Sequence, residues 1–271
     1  MAAAWTDNEA VKECCSALYQ SDFMRLLLGE SFHPGGLALT ERAGALLGLT
    51  SATRLVDVAS GTGASALHLA QCFGCHVTGV DYSRANTNSA AYRAEAAGLR
   101  ECTRFLTGDA EALPLDTEAY DAALCECALC TFPNKGAAAS EFFRLLRPGG
   151  RLVVSDVTRA LNLPPELESV LGWVACIADA RSASNYATLL QEAGLHVLGV
   201  ESHPGALLDL VRHVQTRLLA AEMMVKLGKI ALPEGVTLKD AQSVARAALA
   251  AAQDGRLGYT LILAEKPAGR L

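Results

Sequence analysis

The sequence predicts a doubly wound α/β fold: a mostly parallel sheet with helices on both faces, a helical segment ahead of it and a helical insertion before its last strand. Three observations predict it. From residue 54 onward, apolar runs of strand length alternate with stretches of helical periodicity, the pattern of helices packed on a parallel sheet. The first strand runs into Ala59-Ser60-Gly61-Thr62-Gly63, a glycine-rich turn ahead of a helix. And 51% of the 271 residues are hydrophobic against 19% charged, enough apolar material for a large core and too much for a disordered chain.

The elements follow in order. Residues 7–28 read as an amphipathic helix with Val11, Cys14 or Cys15, Leu18 and Phe23 at helical spacing. The glycine- and proline-containing stretch 29–36 breaks it, and a short helix follows over 37–47. Strands are expected at 55–58, 76–80, 103–107, 120–125, 151–155 and 196–200. Helices are expected between them at 64–72, 84–97, 136–146 and 185–193. Gly98 closes the second of these and Arg147-Pro148-Gly149-Gly150 stops the third. Two further helices, 206–229 and 238–252, precede a terminal strand at 258–264, giving seven strands. No flexible linker isolates any part. The whole of 1–271 is therefore read as one domain: an N-terminal helical lid (1–50), a core (51–202), a helical insertion (203–257) and the last strand with its tail (258–271).

Net charge is −6, so the basic footprint of a nucleic-acid or anionic-membrane binder is absent. No apolar run approaches the ~18 residues of a membrane span. The start, Met1-Ala2-Ala3-Ala4-Trp5-Thr6-Asp7, lacks the basic and apolar regions of a signal peptide, so the cytosol is the expected compartment. Nine cysteines cannot all pair, and cytosolic thiols stay reduced, so clusters among them read as catalytic or ion-binding. Cys72-Phe73-Gly74-Cys75 has a redox or zinc spacing, but it joins a helix to a strand with no second pair beside it, and is read as packing.

The carboxyl ends of the first three strands carry a ligand-binding pattern. Asp57 through Gly63 forms the turn under a ligand, with the following helix offering its positive end. Asp81 closes the second strand, where an acid can accept from two ribose hydroxyls. Asp109, in Gly108-Asp109-Ala110, closes the third, where an acid can meet an adenine amino group. Together with Arg147-Pro148-Gly149-Gly150, these residues resemble the class I S-adenosylmethionine-dependent methyltransferases over about 37–202 and the terminal strand. The resemblance implies a Rossmann-like seven-stranded sheet whose last strand is antiparallel and inserted beside the fifth. It implies S-adenosylmethionine as cofactor, held by Asp57, Ala59, Gly61, Gly63, Asp81, Tyr82, Asp109, Ala110 and Cys125. Ala59 departs from that pattern: it takes the place of the family's first glycine, where a methyl fits if φ is ordinary.

The fourth strand leads into Cys125-Glu126-Cys127-Ala128-Leu129-Cys130. While the chain stays extended, Cys125 and Cys127 share a face and Glu126 turns away from them. Cys176 precedes the helix at 185–193. These two places resemble the arsenite methyltransferases, which carry a cysteine after the fourth strand and another before a segment like 185–195; Cys127 and Cys176 match them. Cys14 and Cys15 lie in a start loosely similar to that family's, while the family's Cys-Gly-Cys-Gly-like element before the first strand is missing. The resemblance implies trivalent arsenic as a substrate held by Cys127 and Cys176 with help from Cys14 or Cys15, and a glutathione or thioredoxin-type reductant as partner. Soft trivalent arsenic prefers thiolates, and a sulfonium donor needs no strong base. Two alternatives stay open: a small organic acceptor with incidental cysteines, or a thiol-rich protein that sequesters or senses a metalloid. His33 is read as a loop histidine without a cofactor role.

Overall fold

The computed structural model describes residues 8–19, 21–29, 33–160, 162–169, 172, 176–232 and 236–269. Seven strands form one sheet: β1 (Arg54–Val58), β2 (His76–Asp81), β3 (Thr103–Thr107), β4 (Tyr120–Glu126), β5 (Leu146–Arg159), β6 (His196–Ser202) and β7 (Leu257–Glu265). Their order across the sheet is β3-β2-β1-β4-β5-β7-β6. The first five pair in parallel, and β7 runs antiparallel between β5 and β6, as expected.

Alternation along the strands sorts side chains into two apolar layers. Leu55, Leu124 and Val153 face one, where α3 (Gly36–Leu47) and α4 (Ala64–Phe73) contribute Ala43, Leu47, Leu69 and Ala70. Val56, Cys125 and Val154 face the other, filled by Phe142 and Leu145 of α6 (Lys135–Leu145) and by Tyr186 and Leu190 of α7 (Ala183–Glu192). The helix α5 (Arg84–Ala96) starts where the Ser83 hydroxyl accepts from the Asn86 amide, a standard N-terminal cap.

The expected insertion forms α8 (Pro204–Lys226) and α9 (Leu238–Gln253). Leu207, Val211 and Ala248 join the first layer, while Leu218, Ala221 and Ala245 pack on Phe23, Met24 and Leu27 of α2 (Asp22–Leu28). The insertion therefore ties the N-terminal segment to the sheet.

Two elements differ from expectation. The single helix over 7–28 is two helices, α1 (Asn8–Tyr19) and α2, because the Ser21 hydroxyl accepts from the Met24 amide at 3.2 Å and caps a new helix. The fifth strand begins earlier: Leu146 pairs with Tyr120, the register jumps across Arg147-Pro148-Gly149-Gly150, and Arg151 pairs with Ala122. Gly149 and Gly150 exchange backbone hydrogen bonds with Lys266, so the helix-stopping segment also anchors the end of β7.

Candidate active site

The sheet order reverses beside β1, where β2 leads one way and β4 the other. A cavity opens there, outside the carboxyl ends of the strands, as this class of sheet favours. Of the residues expected to hold a cofactor, Asp57, Ala59, Gly61, Asp81, Tyr82, Asp109 and Ala110 all line it. A Cβ on Gly61 would meet nothing within 4 Å, so the backbone lies open to a ligand. Gly63 does not line the cavity; its φ of 81° turns the chain into α4, and a Cβ there would meet Ala90 at 2.9 Å.

Asp81 has two roles. One oxygen accepts from the Gly61 amide at 2.8 Å and the other from Ser83 N at 2.9 Å and Asn86 Nδ2 at 3.0 Å. Burial raises its pKa, and those hydrogen bonds pull against the rise. Asp57 is 2% exposed and its Oδ2 has no hydrogen-bond partner. Burial, then the nearby Glu126 and Asp81 charges, push its carboxyl well above the ordinary range.

Ala59 adopts a φ of 61°, so the condition under which its methyl would fit without strain is not met. The left-handed region costs an L-residue about 1–2 kcal/mol. Glycine would remove that strain and lose about 0.5–1 kcal/mol through the unfolded chain. Ala59→Gly is therefore expected to gain roughly 0.5–1 kcal/mol in urea denaturation. A variant no more stable than the wild type would show that the turn accommodates the methyl without strain.

Lys12, from α1, bridges Asp109 at 2.7 Å and Glu111 at 2.5 Å. Burial opposes its charge, but these two partners keep its pKa above the usual lysine value. The N-terminal segment is thus latched over the third strand end. Sequence reading missed Lys12 because its partners are 97 and 99 residues away.

Glu126 corrects another expectation. It faces the cavity and accepts from Ser65 Oγ at 2.6 Å and Thr40 Oγ1 at 3.1 Å, with His33 Nε2 at 3.5 Å. His33 also lines the cavity. The carboxylates of Asp57, Asp81, Asp109 and Glu126 thus surround a space to which Lys12 contributes the one lysine or arginine among the described lining residues. A cation bound among these carboxylates would favour their ionised forms, Asp57 included, so the site suits a cationic ligand. The unpartnered Asp57 oxygen and the open Gly61 backbone fit S-adenosylmethionine, which carries a sulfonium and an ammonium.

Cys125 is likewise not where it was expected. It is fully buried in the second apolar layer and does not line the cavity, whereas Cys127 lines the cavity and packs against the first layer. The reason is backbone: the strand ends at Glu126 and Cys127 adopts a φ of 51°, so the two-residue alternation fails. Cys176, at φ 62° and 4% exposed, packs against Cys127 without lining the cavity itself. Its thiol lies 3.1 Å from the Tyr19 hydroxyl and 3.4 Å from the Cys127 carbonyl. Side-chain hydrogen bonds from Cys127, then Cys130, then Tyr19, with the Lys135 charge nearby, hold Cys176 well below the ordinary thiol range against the opposing effect of burial. The pair it gives up its proton beside, Cys127 and Cys130, are raised. The structure therefore joins Cys127 to Cys176 as expected and adds Cys130 and Tyr19. Cys14 and Cys15 lie on α1, but their side chains fall outside the described residues.

Asp156 borders this cluster, accepting from Cys130 N at 2.8 Å and Val157 N at 2.7 Å. Burial and the Cys176 charge raise its pKa to about 7. Between about pH 4, the unfolded value, and about pH 7, the folded chain holds a proton that the unfolded chain releases. Its contribution to stability therefore falls as pH rises through that window. Asp156→Asn is expected to be less stable than the wild type at pH 5, with the gap narrowing by pH 8, in parallel urea titrations. A pH-independent gap would place the ordinary carboxylate value at this site.

The fold is that of the Rossmann-like methyltransferases. Residues 56–154 match the family described as a methyltransferase domain. A 27-O-demethylrifamycin SV methyltransferase from Amycolatopsis mediterranei is 28% identical over 262 residues, 91% of this chain and 94% of its own length. The arsenite methyltransferase of Mus musculus is 31% identical over 153 residues, 52% of this chain and 40% of its own. The chain spans only 52 to 60% of the length of the first curated relatives it matches. Among solved structures, the cyclase SpnF superposes with a TM-score of 0.78 at 22% identity, covering 97% of both chains. Phosphoethanolamine N-methyltransferase 2 of Haemonchus contortus, in complex with S-adenosyl-L-methionine, superposes with a TM-score of 0.77 at 17% identity over 95% of this chain and 60% of that one. These superpositions speak for the fold alone. Among the described residues no helix is long and apolar enough to cross a membrane.

Proposed function

We propose that the protein is an S-adenosylmethionine-dependent methyltransferase whose acceptor is trivalent arsenic held by cysteine thiols. Asp81 and Asp109 would take the adenosine half of the cofactor, with Tyr82 and Ala110 beside it. Asp57 and Glu126 would face its cationic methionine half. When bound, the cofactor supplies a methyl group on a positively charged sulfur, activated toward a lone pair.

The observation that carries the arsenic reading is the shape of the thiol cluster. Cys127 and Cys176 are both non-glycine residues in the left-handed region, as is Ala59, which lines the cavity with Cys127; the fourth among the described residues, Glu118, lies outside the cavity lining. Strain of about 1–3 kcal/mol per residue persists where the surrounding structure holds a functional geometry. Here it aims two thiols at one place and leaves one of them, Cys176, poised to ionise. Thiolates bind a soft ion and leave its lone pair free to face the methyl group, so alignment supplies much of the rate. The similarity to the murine arsenite methyltransferase supports this reading.

A small organic acceptor is the second reading, favoured by the near full-length match to the 27-O-demethylrifamycin SV methyltransferase. One assay separates the two. Protein incubated with S-adenosylmethionine, glutathione and arsenite is expected to yield methylated arsenic. A protein that binds the cofactor yet leaves arsenite unmethylated has an organic acceptor instead.

A further inference from the structure

On the outer surface of the fold, away from the cavity, α3 and α4 cross closely because Gly44 has no side chain. A Cβ there would meet Phe73 Cε2 at 2.6 Å and Leu69 Cδ2 at 2.8 Å. The approach brings Glu41 of α3 against His68 and Cys72 of α4, two residues four apart on one helix face. Glu41 Oε1 lies 2.8 Å from His68 Nε2, His68 Nε2 lies 3.6 Å from Cys72 Sγ, and Cys72 Sγ lies 4.0 Å from Glu41 Oε1. Among the described residues this is the one group of three metal-ligating side chains whose ligand atoms all lie within 4.8 Å of one another.

The geometry points to a Zn²⁺ site made by Glu41, His68 and Cys72, cross-linking α3 to α4. Zinc binds O and N at about 2.0 Å and thiolate S at about 2.3 Å in tetrahedral geometry, which sets ligand atoms roughly 3.3–3.6 Å apart. The three observed separations bracket that range. A mixed carboxylate, imidazole and thiolate set suits this borderline cation, and Cys72 and Glu41 are exposed, so a fourth position stays open to water. The trio is not built as a nucleophile with its base. In such a triad the acid and the nucleophile use different ring nitrogens, whereas here Glu41 and Cys72 both converge on Nε2. Convergence on one point is what a shared ion requires. Binding releases the Cys72 thiol proton to solvent and leaves the imidazole proton on Nδ1.

The site is independent of the cysteine pair after β4 and of the reaction. Cys75 takes no part: it is fully buried, donates to the Leu69 carbonyl at 3.6 Å, and burial raises its pKa to about 11. Thr40 and Ser65, on the inner sides of the same two helices, hold Glu126.

The test titrates reduced full-length protein with Zn²⁺ by calorimetry, and with Co²⁺ while following thiolate-to-metal charge-transfer absorption. Wild type and a Cys127→Ser/Cys176→Ser variant are expected to share a zinc equivalent that Cys72→Ser and His68→Asn bind at least about tenfold more weakly. That zinc should raise the melting temperature of wild type and of the double variant, but not of Cys72→Ser. If Cys72→Ser binds zinc as tightly as wild type, or the only zinc equivalent disappears with Cys127 and Cys176, the site is not where the geometry places it. Glu41 and Cys72 are exposed and His68 is half-buried, so the Cys72→Ser and His68→Asn variants should fold, while the cooperative melt of the Cys127→Ser/Cys176→Ser variant without zinc checks its own fold.

Discussion

Cys176→Ser and Cys127→Ser should each lower arsenite methylation by about a hundredfold or more, the scale on which small losses of alignment act. Serine matches cysteine in size but offers a hard, weakly acidic oxygen to a soft ion. Cys176 should show the larger loss, because it is the thiol that three neighbours prepare to ionise. Fold and cofactor affinity should stay close to wild type, since serine matches cysteine in size and the cofactor is assigned to Asp81, Asp109, Asp57 and Glu126 rather than to either thiol. Cys102→Ser is the control: Cys102 is half-buried and donates to the Leu99 carbonyl at 3.3 Å, remote from the cluster. The depressed Cys176 value also gives a sign for pH. Its pKa lies below the ordinary thiol range, so arsenite affinity should persist to lower pH than an ordinary thiol would allow and fall as acid protonates it. Equal turnover by Cys176→Ser and Cys102→Ser would make the cluster a packing feature and move the acceptor to the organic class.

Asp81→Ala is expected to weaken S-adenosylmethionine binding by at least about tenfold, since each charge-assisted hydrogen bond to a ligand hydroxyl contributes roughly 1.5–3 kcal/mol. The same carboxylate fastens Gly61 N, Ser83 N and Asn86 Nδ2, so the loop under the ligand should loosen as well. Asp81→Asn separates the two effects. Its remaining oxygen can serve some of those donors while its charge is gone. Calorimetry showing wild-type affinity in Asp81→Ala would remove the adenosine half of the ligand from this position.

The positions of Asp57, Asp81 and Asp109 were legible because each lies at or near the carboxyl end of a strand, and a strand end is a local signal. Lys12 was illegible for the opposite reason: nothing near it in the chain announces its two acidic partners. Glu126 and Cys125 were assigned to the wrong sides by one rule, that extended chain alternates. The left-handed turn at Cys127 breaks that rule, and a non-glycine residue in this region is invisible to propensity. The break at Ser21 was readable in principle, since serine followed by aspartate is a cap signal, but the apolar spacing across it concealed the stop. Glu41, His68 and Cys72 show the limit of motif reading. The local Cys-x-x-Cys drew attention to the wrong partner, while the helix-spaced histidine and a carboxylate on another helix stand beside Cys72.

The placement of β7 also bears on how the chain reaches this shape. β5 and β6 make no ladder with each other; β7 joins β6 to the free edge of β5, and its Glu265 lies opposite Arg151, 114 residues earlier. Until β7 emerges from the ribosome, two strand edges with apolar faces stand apart with no partner between them. Such unpaired edges recruit other chains. Closure of so distant a ladder is slow, because the loop entropy is lost before the contacts form. The nascent protein is therefore most prone to aggregate in the interval between synthesis of β6 and of β7, and α8 and α9, made in that interval, cover the adjoining apolar layer while the gap waits to be filled.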